Sequence, residues 1–576
     1  MITIAEYILT RLRQLGVQHM FGVPGELNLA FSDIIEDHTE YNIKWVGGCN
    51  ELNSAYAADG YARVKQSLGV LLTIFGPGEL SAMNGYAGAA SEDVPLLHIV
   101  GVPSTIQQKN QTLVDHTLGD GRYDDFSRAA RQMAYPQAII DKKEEAASKI
   151  DRILIECISN SRPGYLALPT DLVTQEISSD SLQFPLSRYV AQNDPAAEKF
   201  VVDRISHLFG QSMAQGEEAV VLVDLGAIRH DVVKEVYDLV NRTGFPVFCT
   251  PMAKTAIDET YERYGGVYWG SILSRPEVKE KVENANIVLS IGSFISDFNM
   301  GNFNYNIQTS RLIELQHDRT NIQGTMFPGV GMKQLIPKLA NQLHHICNEI
   351  SKTAVAKYVN IVPQESDDAI TNAWLWPRFG EFFKENDIIL AETGSPQYGI
   401  IDIPLPKGSV LLSQMRWASI GWTVGATLGA CLAASESTTP RRSILLVGDG
   451  SLQMTVQELS SIIRAGLKPI IFVFNNHGYT TERMLHREST QKKYPDLALW
   501  DYAGLLKVLG DLDGTRSRSY KAHTKQELSA LLNDEKFGKG DTYIELVEIF
   551  LDKLDAPYAL TNWPKAGTAP ARRSRA

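Results

Sequence analysis

Asp449 and Asn476 carry the strongest chemical signal in the chain. Asp449 lies in Gly448-Asp449-Gly450, and Asn476 follows Asn475 and precedes His477-Gly478-Tyr479, with residues 451 to 474 in between. A carboxylate, an amide oxygen and a main-chain carbonyl, here expected from Gly478, make a hard-oxygen half-shell for magnesium, which completes its octahedron with waters and substrate phosphates. A diphosphate is the natural partner. Gly448, Gly450 and Gly478 let the main chain approach phosphate oxygens, and Ser451 counts beside them as a cofactor contact. His477 and His486 are not expected as ligands, because the donors are already hard and imidazole suits softer metals.

The elements that must hold these residues flank them. Ser443-Ile444-Leu445-Leu446-Val447 and Pro469-Ile470-Ile471-Phe472-Val473-Phe474 are short apolar, partly β-branched runs that read as buried parallel strands. Thr455 to Arg464 repeats apolar residues three and four apart and stops at Gly466, as a crossover helix does. In such a βαβ unit Asp449 and Asn476 both fall just past the carboxyl ends of their strands, where open α/β sheets place ligands. A lone Gly-Asp-Gly is commonly a tight turn. The order strand, Gly-Asp-Gly, helix, strand, Asn-Asn is more specific, and it resembles the thiamine diphosphate and magnesium signature of the thiamine-dependent enzymes.

At 576 residues the chain is long enough for about three or four domains. Apolar residues are 44% and charged residues 21% of the chain, which favours neither disorder nor a membrane protein. The net charge of -12 argues against general nucleic-acid binding. Cys49, Cys157, Cys249, Cys347 and Cys431 are scattered without a CxxC pair and read as free thiols of a reducing compartment. The start runs directly into an amphipathic helix, Ile4 to Leu15, with no signal-peptide pattern, so the cytoplasm is the expected location.

Strand and helix signals alternate in three blocks, which predicts an α/β protein of three doubly wound parallel-sheet domains. Residues 1–180 hold five strand signals, at Gln18 to Gly25, Ile43 to Val46, Val70 to Phe75, Leu96 to Gly101 and Gly164 to Pro169. Residues 198–345 hold four, at Ala219 to Val223, Pro246 to Thr250, Ile287 to Gly292 and Ser310 to Leu315. Polar, irregular linkers are expected at 178–197 and 350–368. The third block, 369–563, contains the metal-site unit and two glycine-rich segments, Gly394 to Gly399 and Gly421 to Gly429, where main chain should approach a ligand or another helix. The tail, 564–576, is rich in Ala, Pro and Arg and reads as disordered.

Glu51 is the most informative acid of the first block. It follows Trp45-Val46-Gly47-Gly48-Cys49-Asn50 and opens a small-residue helical stretch through Arg63. An isolated acid there is commonly a capping-box residue. The string around it, however, resembles the segment in which thiamine enzymes keep their activating glutamate. That resemblance implies that Glu51 bonds the cofactor's aminopyrimidine ring and favours its imino tautomer. It also implies that the first domain holds the pyrimidine of the cofactor, the third its diphosphate, and that the two halves of a site come from different chains. A dimer, or a dimer of dimers, is the expected assembly.

Within these enzymes the chain resembles the 2-keto acid decarboxylase family, pyruvate, indolepyruvate and phenylpyruvate decarboxylases among them, from Tyr7 to about Pro557. The strings that carry the resemblance include Phe21-Gly22-Val23-Pro24-Gly25, His116-Thr117-Leu118-Gly119, Pro251-Met252-Ala253-Lys254, Ser419-Ile420-Gly421-Trp422 and Tyr479-Thr480-Thr481-Glu482. The resemblance makes Ile420 the apolar support over which the cofactor bends, and Thr393 and Ser395 contacts to it. Glu26, Asp115, His116 and Glu482 take the positions that handle protons. Two depart from the family pattern: Glu26 stands where an aspartate is usual, and Asp115 replaces the first of two histidines. One extra methylene moves a carboxyl oxygen by about an ångström, and a carboxylate near two others raises their pKa values.

The expected reaction is non-oxidative decarboxylation of a 2-keto acid to an aldehyde and carbon dioxide with thiamine diphosphate and magnesium. Slowed protonation would instead favour joining the decarboxylated fragment to a second carbonyl, an acyloin-forming carboligase. A third reading, a catalytically silent regulatory paralogue, is opposed by Glu51, Asp449, Asn476 and Glu482. Gln397, Thr481 and Leu485 are the expected substrate-pocket residues and predict a more polar pocket, with Leu485 one helical turn after Thr481.

Overall fold

Valine-, isoleucine- and leucine-rich runs become the buried strands of three large sheets in the computed structural model, which describes residues 1–216, 218–347, 355 and 357–568. The N-terminal sheet is wholly parallel, in spatial order Lys44–Gly47, His19–Gly22, Gly69–Ile74, Leu96–Val102, Gly164–Pro169 and Gln137–Ile139. The C-terminal sheet is parallel too, in order Val410–Leu412, Ile388–Ala391, Ser443–Gly448, Ile470–Asn475, Ile544–Phe550 and Ser517–Ala522. Numbered in chain order within each domain, both sheets run 2-1-3-4-6-5. Each therefore reverses its strand order between the first and third strands, the place where such sheets bind ligands.

The central sheet is mixed. Parallel strands Tyr264–Val267, Val247–Cys249, Ala219–Val223, Ile287–Ile291 and Leu312–Leu315 are extended by antiparallel Arg319–Ile322 and Thr325–Pro328. The three strands beyond the expected four are edge elements with weak apolar signals. Tyr264–Val267 contains Gly265-Gly266, and the last two form a hairpin whose turn residues, Gln323 and Gly324, have φ of 54° and 88°.

Three other expectations shift. The crossover helix starts earlier than its apolar repeat, at Asp449 itself, and runs as Asp449–Thr455 and Glu458–Arg464. The final helix, Tyr558–Thr568, passes the expected end at 563, because Trp563 packs with ring centroids 5.6 Å from both Phe298 and Tyr398; residues 569–576 of the expected tail lie outside the described residues. The 178–197 linker contains the short helix Asp180–Gln183 and the start of Pro195–Ala214, while residues 350–354 and 356 of the second linker lie outside the described residues. No helix among the described residues is long and apolar enough to cross a membrane.

The N- and C-terminal domains share one core along a seam of two helices, Glu51–Lys65 and Trp422–Ser435. Small residues let the helix backbones meet. A Cβ on Gly60 would stand 2.6 Å from Ala426 Cα, and one on Gly429 would overlap Ala57 O and stand 2.7 Å from Tyr61 N. Buried charges at the seam are paired: Arg63 donates to Asp59 and to Glu92, each at 2.7 Å, and Trp422 Nε1 reaches across to donate to Asp59 at 2.9 Å. A buried ion pair repays its desolvation only when its hydrogen bonds are met, as they are here. Gly429→Ala should lower unfolding free energy in urea by about 2 kcal/mol through overpacking, against its gain in helix propensity. Gly210→Ala is the control, since a Cβ there meets nothing within 4 Å in a helix interior, and it should leave stability level or slightly raised.

Candidate active site

Neighbouring strands Ile388–Ala391 and Ser443–Gly448 send their chains to opposite sides, and the cleft between them is lined by Thr393, Ser395, Ile420, Gly448, Asp449 and Gly450, with Ser451, Asn476, Gly478, Thr481 and Glu482 on its far walls. Asp449 opens a helix and is 3% exposed. Its Oδ1 accepts from Gly450 N at 2.8 Å and its Oδ2 from Gly478 N at 3.0 Å. Burial pushes its carboxyl up to about 6, against those main-chain donors and the charge of Arg483, which pull it down.

Asn476 is also buried, and its Oδ1 has no hydrogen-bond partner among the described residues. A buried amide oxygen left without a donor, beside a carboxylate, is what a hard cation requires. Gly478 has φ of 129°, a conformation side chains rarely adopt, and a Cβ there would overlap Pro495 O. A Cβ on Gly448 would meet nothing within 4 Å, so that position opens onto the cleft. No group of three His, Cys, Asp or Glu side chains able to hold a metal occurs among the described residues. A metal here must draw on amide, main-chain and ligand oxygens. His477 and His486 are exposed, and neither lines the cleft.

Ile420 is carried by a loop that the N-terminal domain grips. Ser419 Oγ lies 2.8 Å from Tyr56 Oη and accepts from Asn84 Nδ2 at 2.9 Å, Trp417 Nε1 donates to Asn84 at 2.8 Å, and Arg416 N donates to Glu92 at 2.7 Å. Below the cleft, Glu392 accepts from Thr393 N at 2.8 Å, Thr423 Oγ1 at 2.5 Å and both Gly421 N and Thr423 N at 3.2 Å. Burial raises that carboxyl to about 7 in spite of its donors. The acid immediately before Thr393-Gly394-Ser395 was the one sequence signal for it.

The N-terminal half gathers its acids at the corresponding strand ends. Asn50, not Glu51, caps the Glu51–Lys65 helix, its side chain accepting from Asn53 N at 2.8 Å. Glu51 is thereby free of a capping role, and its Oε1 lies 3.2 Å from where a Cβ on Gly78 would stand. The His116 main chain packs on Gly76, and Gly25, next to Glu26, packs on Ile74. So Glu26, Glu51 and the Asp115-His116 loop converge on the end of strand Gly69–Ile74. Glu26 and Asp115 are exposed; Glu51 and His116 are half-buried.

Within one chain these acids do not line the cleft of Asp449, whose lining residues all belong to the C-terminal domain. The Glu51 loop is instead fastened to the back of that domain: Cys49 N donates to Glu458 Oε2 at 3.2 Å, Cys49 Sγ to Gln457 O at 3.2 Å, and Arg464 to Gly47 O.

Three family models match in sequence along the chain: the thiamine pyrophosphate enzyme N-terminal TPP binding domain over residues 2–123, the central domain over 211–343 and the C-terminal TPP binding domain over 398–541. A putative pyruvate decarboxylase of Schizosaccharomyces pombe is 43% identical, with 98% of each chain covered. Pyruvate decarboxylase isozyme 1 of Saccharomyces cerevisiae is 40% identical over 99% of each chain, and the pyruvate decarboxylase of Aspergillus fumigatus is 40% identical over 97% of this chain and 96% of its own. The chain belongs to the thiamine diphosphate-dependent 2-keto acid decarboxylases.

In this decarboxylase the expected substrate-pocket residues are placed differently from one another. Thr481 is in the cleft wall. Leu485 is 45% exposed and outside the lining, and Gln397 is 2% exposed and turned inward, donating to Ser413 Oγ at 2.8 Å and Gln414 O at 3.3 Å. Both donor bonds of Gln397 thus go to the loop behind it, away from the lining of the Asp449 cleft.

Asp449→Asn should abolish magnesium-dependent binding of thiamine diphosphate, read as loss of tryptophan-fluorescence quenching with circular dichroism unchanged. A divalent cation held here would need the ionised carboxylate, which burial raises to about 6, so affinity should be level above about pH 7 and fall about tenfold per pH unit below about pH 6.

Proposed function

We propose that this chain decarboxylates a 2-keto acid, pyruvate or a close analogue, to an aldehyde and carbon dioxide, in a site assembled from two copies of the chain. The unpartnered, buried Asn476 Oδ1 beside Asp449 carries the cofactor half of this reading. Asp449, Asn476 and the main chain of Gly478 would hold magnesium, and Gly448, Gly450, Ser451, Thr393 and Ser395 the diphosphate. Bound thiamine diphosphate supplies an electron sink for the pair released with carbon dioxide.

The protein's own part is positional and protonic. Ile420 would support the bound cofactor from below, and Glu51 would hold a proton at the aminopyrimidine ring of a cofactor bound by the other chain. Glu482, on the cleft wall, and His116, Glu26 and Asp115, on the opposing rim, hold and move protons at the substrate carbonyl and the carbon that loses carbon dioxide. Exposed apolar side chains at both halves support the pairing: Ile106, Leu113 and Leu118 at 66%, 68% and 62% on the N-terminal side, and Met454 and Leu499 at 55% and 79% near the cleft. Dimers of this kind pair further into a dimer of dimers. The buried free thiols of Cys157, Cys249 and Cys431 support a reducing compartment, the cytoplasm.

Glu51→Gln should lower kcat/KM for 2-keto acids by about a hundredfold or more, with magnesium and cofactor still bound. Mixing Glu51→Gln with Asp449→Asn chains under exchange tests the shared site. Hybrids regain one intact site in two, so about a quarter of wild-type activity should return; no recovery would place both residues in one chain's site.

The rim composition favours a second product. Glu26 and Asp115 put two exposed carboxyl groups beside one imidazole, His116. Such a rim donates protons sparingly and leaves more of the decarboxylated fragment to join a second carbonyl. Asp115→His should raise the aldehyde-to-acyloin ratio; an identical ratio in both proteins removes this reading.

A further inference from the structure

Arg483 lies in the short helix Thr480–Leu485, directly after Glu482, and is 1% exposed. Its NH2 donates to His477 O at 3.0 Å, to Pro495 O at 3.4 Å and to Asp496 Oδ1 at 2.7 Å, while its buried NH1 has no partner among the described residues. Its ion pair is with Asp496, which is 51% exposed, and its charge also acts on the buried Asp449 carboxyl. Burying a guanidinium costs several kcal/mol unless its bonds are well met, and an apolar side chain would suffice to pack a six-residue helix. The charge must therefore be retained for what it holds.

It holds two segments together. Pro495 O also accepts from Tyr479 N at 2.8 Å and fills the space a Cβ on Gly478 would need. Leu497 Cδ1 lies 2.9 Å from where a Cβ on Gly450 would stand, and Gln453 Nε2 donates to Ala498 O at 3.0 Å. Residues 495–498 thus form a strap beneath both turns that carry the metal donors, and Arg483 ties that strap to the loop between Asn476 and Gly478.

We propose that Arg483 is a positioning residue of the metal site, clamping the 476–478 loop onto the 495–498 strap so that Asn476 Oδ1 and the Gly478 main chain are set for magnesium and diphosphate. The clamp rests on the magnesium–diphosphate reading above. It acts behind the cleft, since Arg483 does not line it. Partners that orient metal ligands in this way typically change metal affinity about 10–100-fold when removed.

The test is the dissociation constant of Mn2+, measured by electron paramagnetic resonance with saturating thiamine diphosphate, for wild type, Arg483→Lys, Arg483→Met and Asp496→Asn. Wild type that binds no Mn2+ under these conditions overturns the metal reading itself, before any variant is compared. With wild type binding, Arg483→Met should weaken Mn2+ at least about tenfold, Asp496→Asn about threefold, and Arg483→Lys should recover part of the loss. At saturating magnesium, kcat should return to within about twofold of wild type, because no reacting group is removed. Unchanged Mn2+ affinity in Arg483→Met, with only a lower melting temperature, overturns the clamp. Should Arg483→Met fail to fold, Asp496→Asn decides: wild-type Mn2+ affinity there overturns it equally.

Discussion

Two helices without room for side chains between them hold this molecule in working order. Where Gly60 meets Ala426 and Gly429 meets Ala57, the backbones of the N- and C-terminal domains lie in direct contact, and the Asp59-Arg63-Glu92-Trp422 network closes over the seam. One of these helices begins with Glu51 and the other follows Ile420. The residue expected to activate the cofactor and the residue expected to bend it are thus mounted on one rigid pair. Their relative position depends on a contact that tolerates no added methyl group.

The same economy runs through the cofactor cleft. Asp449 is ordered by the main-chain N–H groups of Gly450 and Gly478, Thr393 by Glu392, and the Asn476 loop by Arg483 from behind. Three charged side chains, two acids and a base, are kept in the interior, and each is fixed by hydrogen bonds to main chain. Preorganised dipoles of this kind cost nothing at the moment of reaction. The rim that carries Glu26, Asp115 and His116 is built otherwise. Its groups are exposed or half-buried rather than held in the interior.

Much of this architecture was legible in the residues. Buried parallel strands announce themselves by β-branched runs, so Ser443–Gly448 and Ile470–Asn475 were found within a residue of their ends. The hairpin Arg319–Ile322 and Thr325–Pro328 was not, because a partly exposed edge pair alternates weakly and resembles a loop. The start of the crossover helix was missed because Asp449 and Gly450 have poor helix propensity and are helical here through hydrogen bonds that tertiary structure supplies. Within the site, Asp449 and Asn476 could be singled out from motif spacing, and Thr393, Ser395 and Ile420 only from the family resemblance. Glu392 and Arg483 could not, since their importance lies in burial and in partners distant in sequence. Gln397 shows the converse: its residue type suggested a polar pocket, and its orientation spends that polarity on Ser413 and Gln414.

The contrast between Gln397 and Leu485 bears on how such a protein can diversify. Gln397 is held by its bonds to Ser413 and Gln414, whereas Leu485 is nearly half exposed and outside the cleft lining, and Thr481 stands in the cleft wall. Sequence drift is cheap at the latter two positions and expensive along the glycine seam. Change can therefore accumulate on the exposed turn beside the cleft while the helix seam behind it stays fixed.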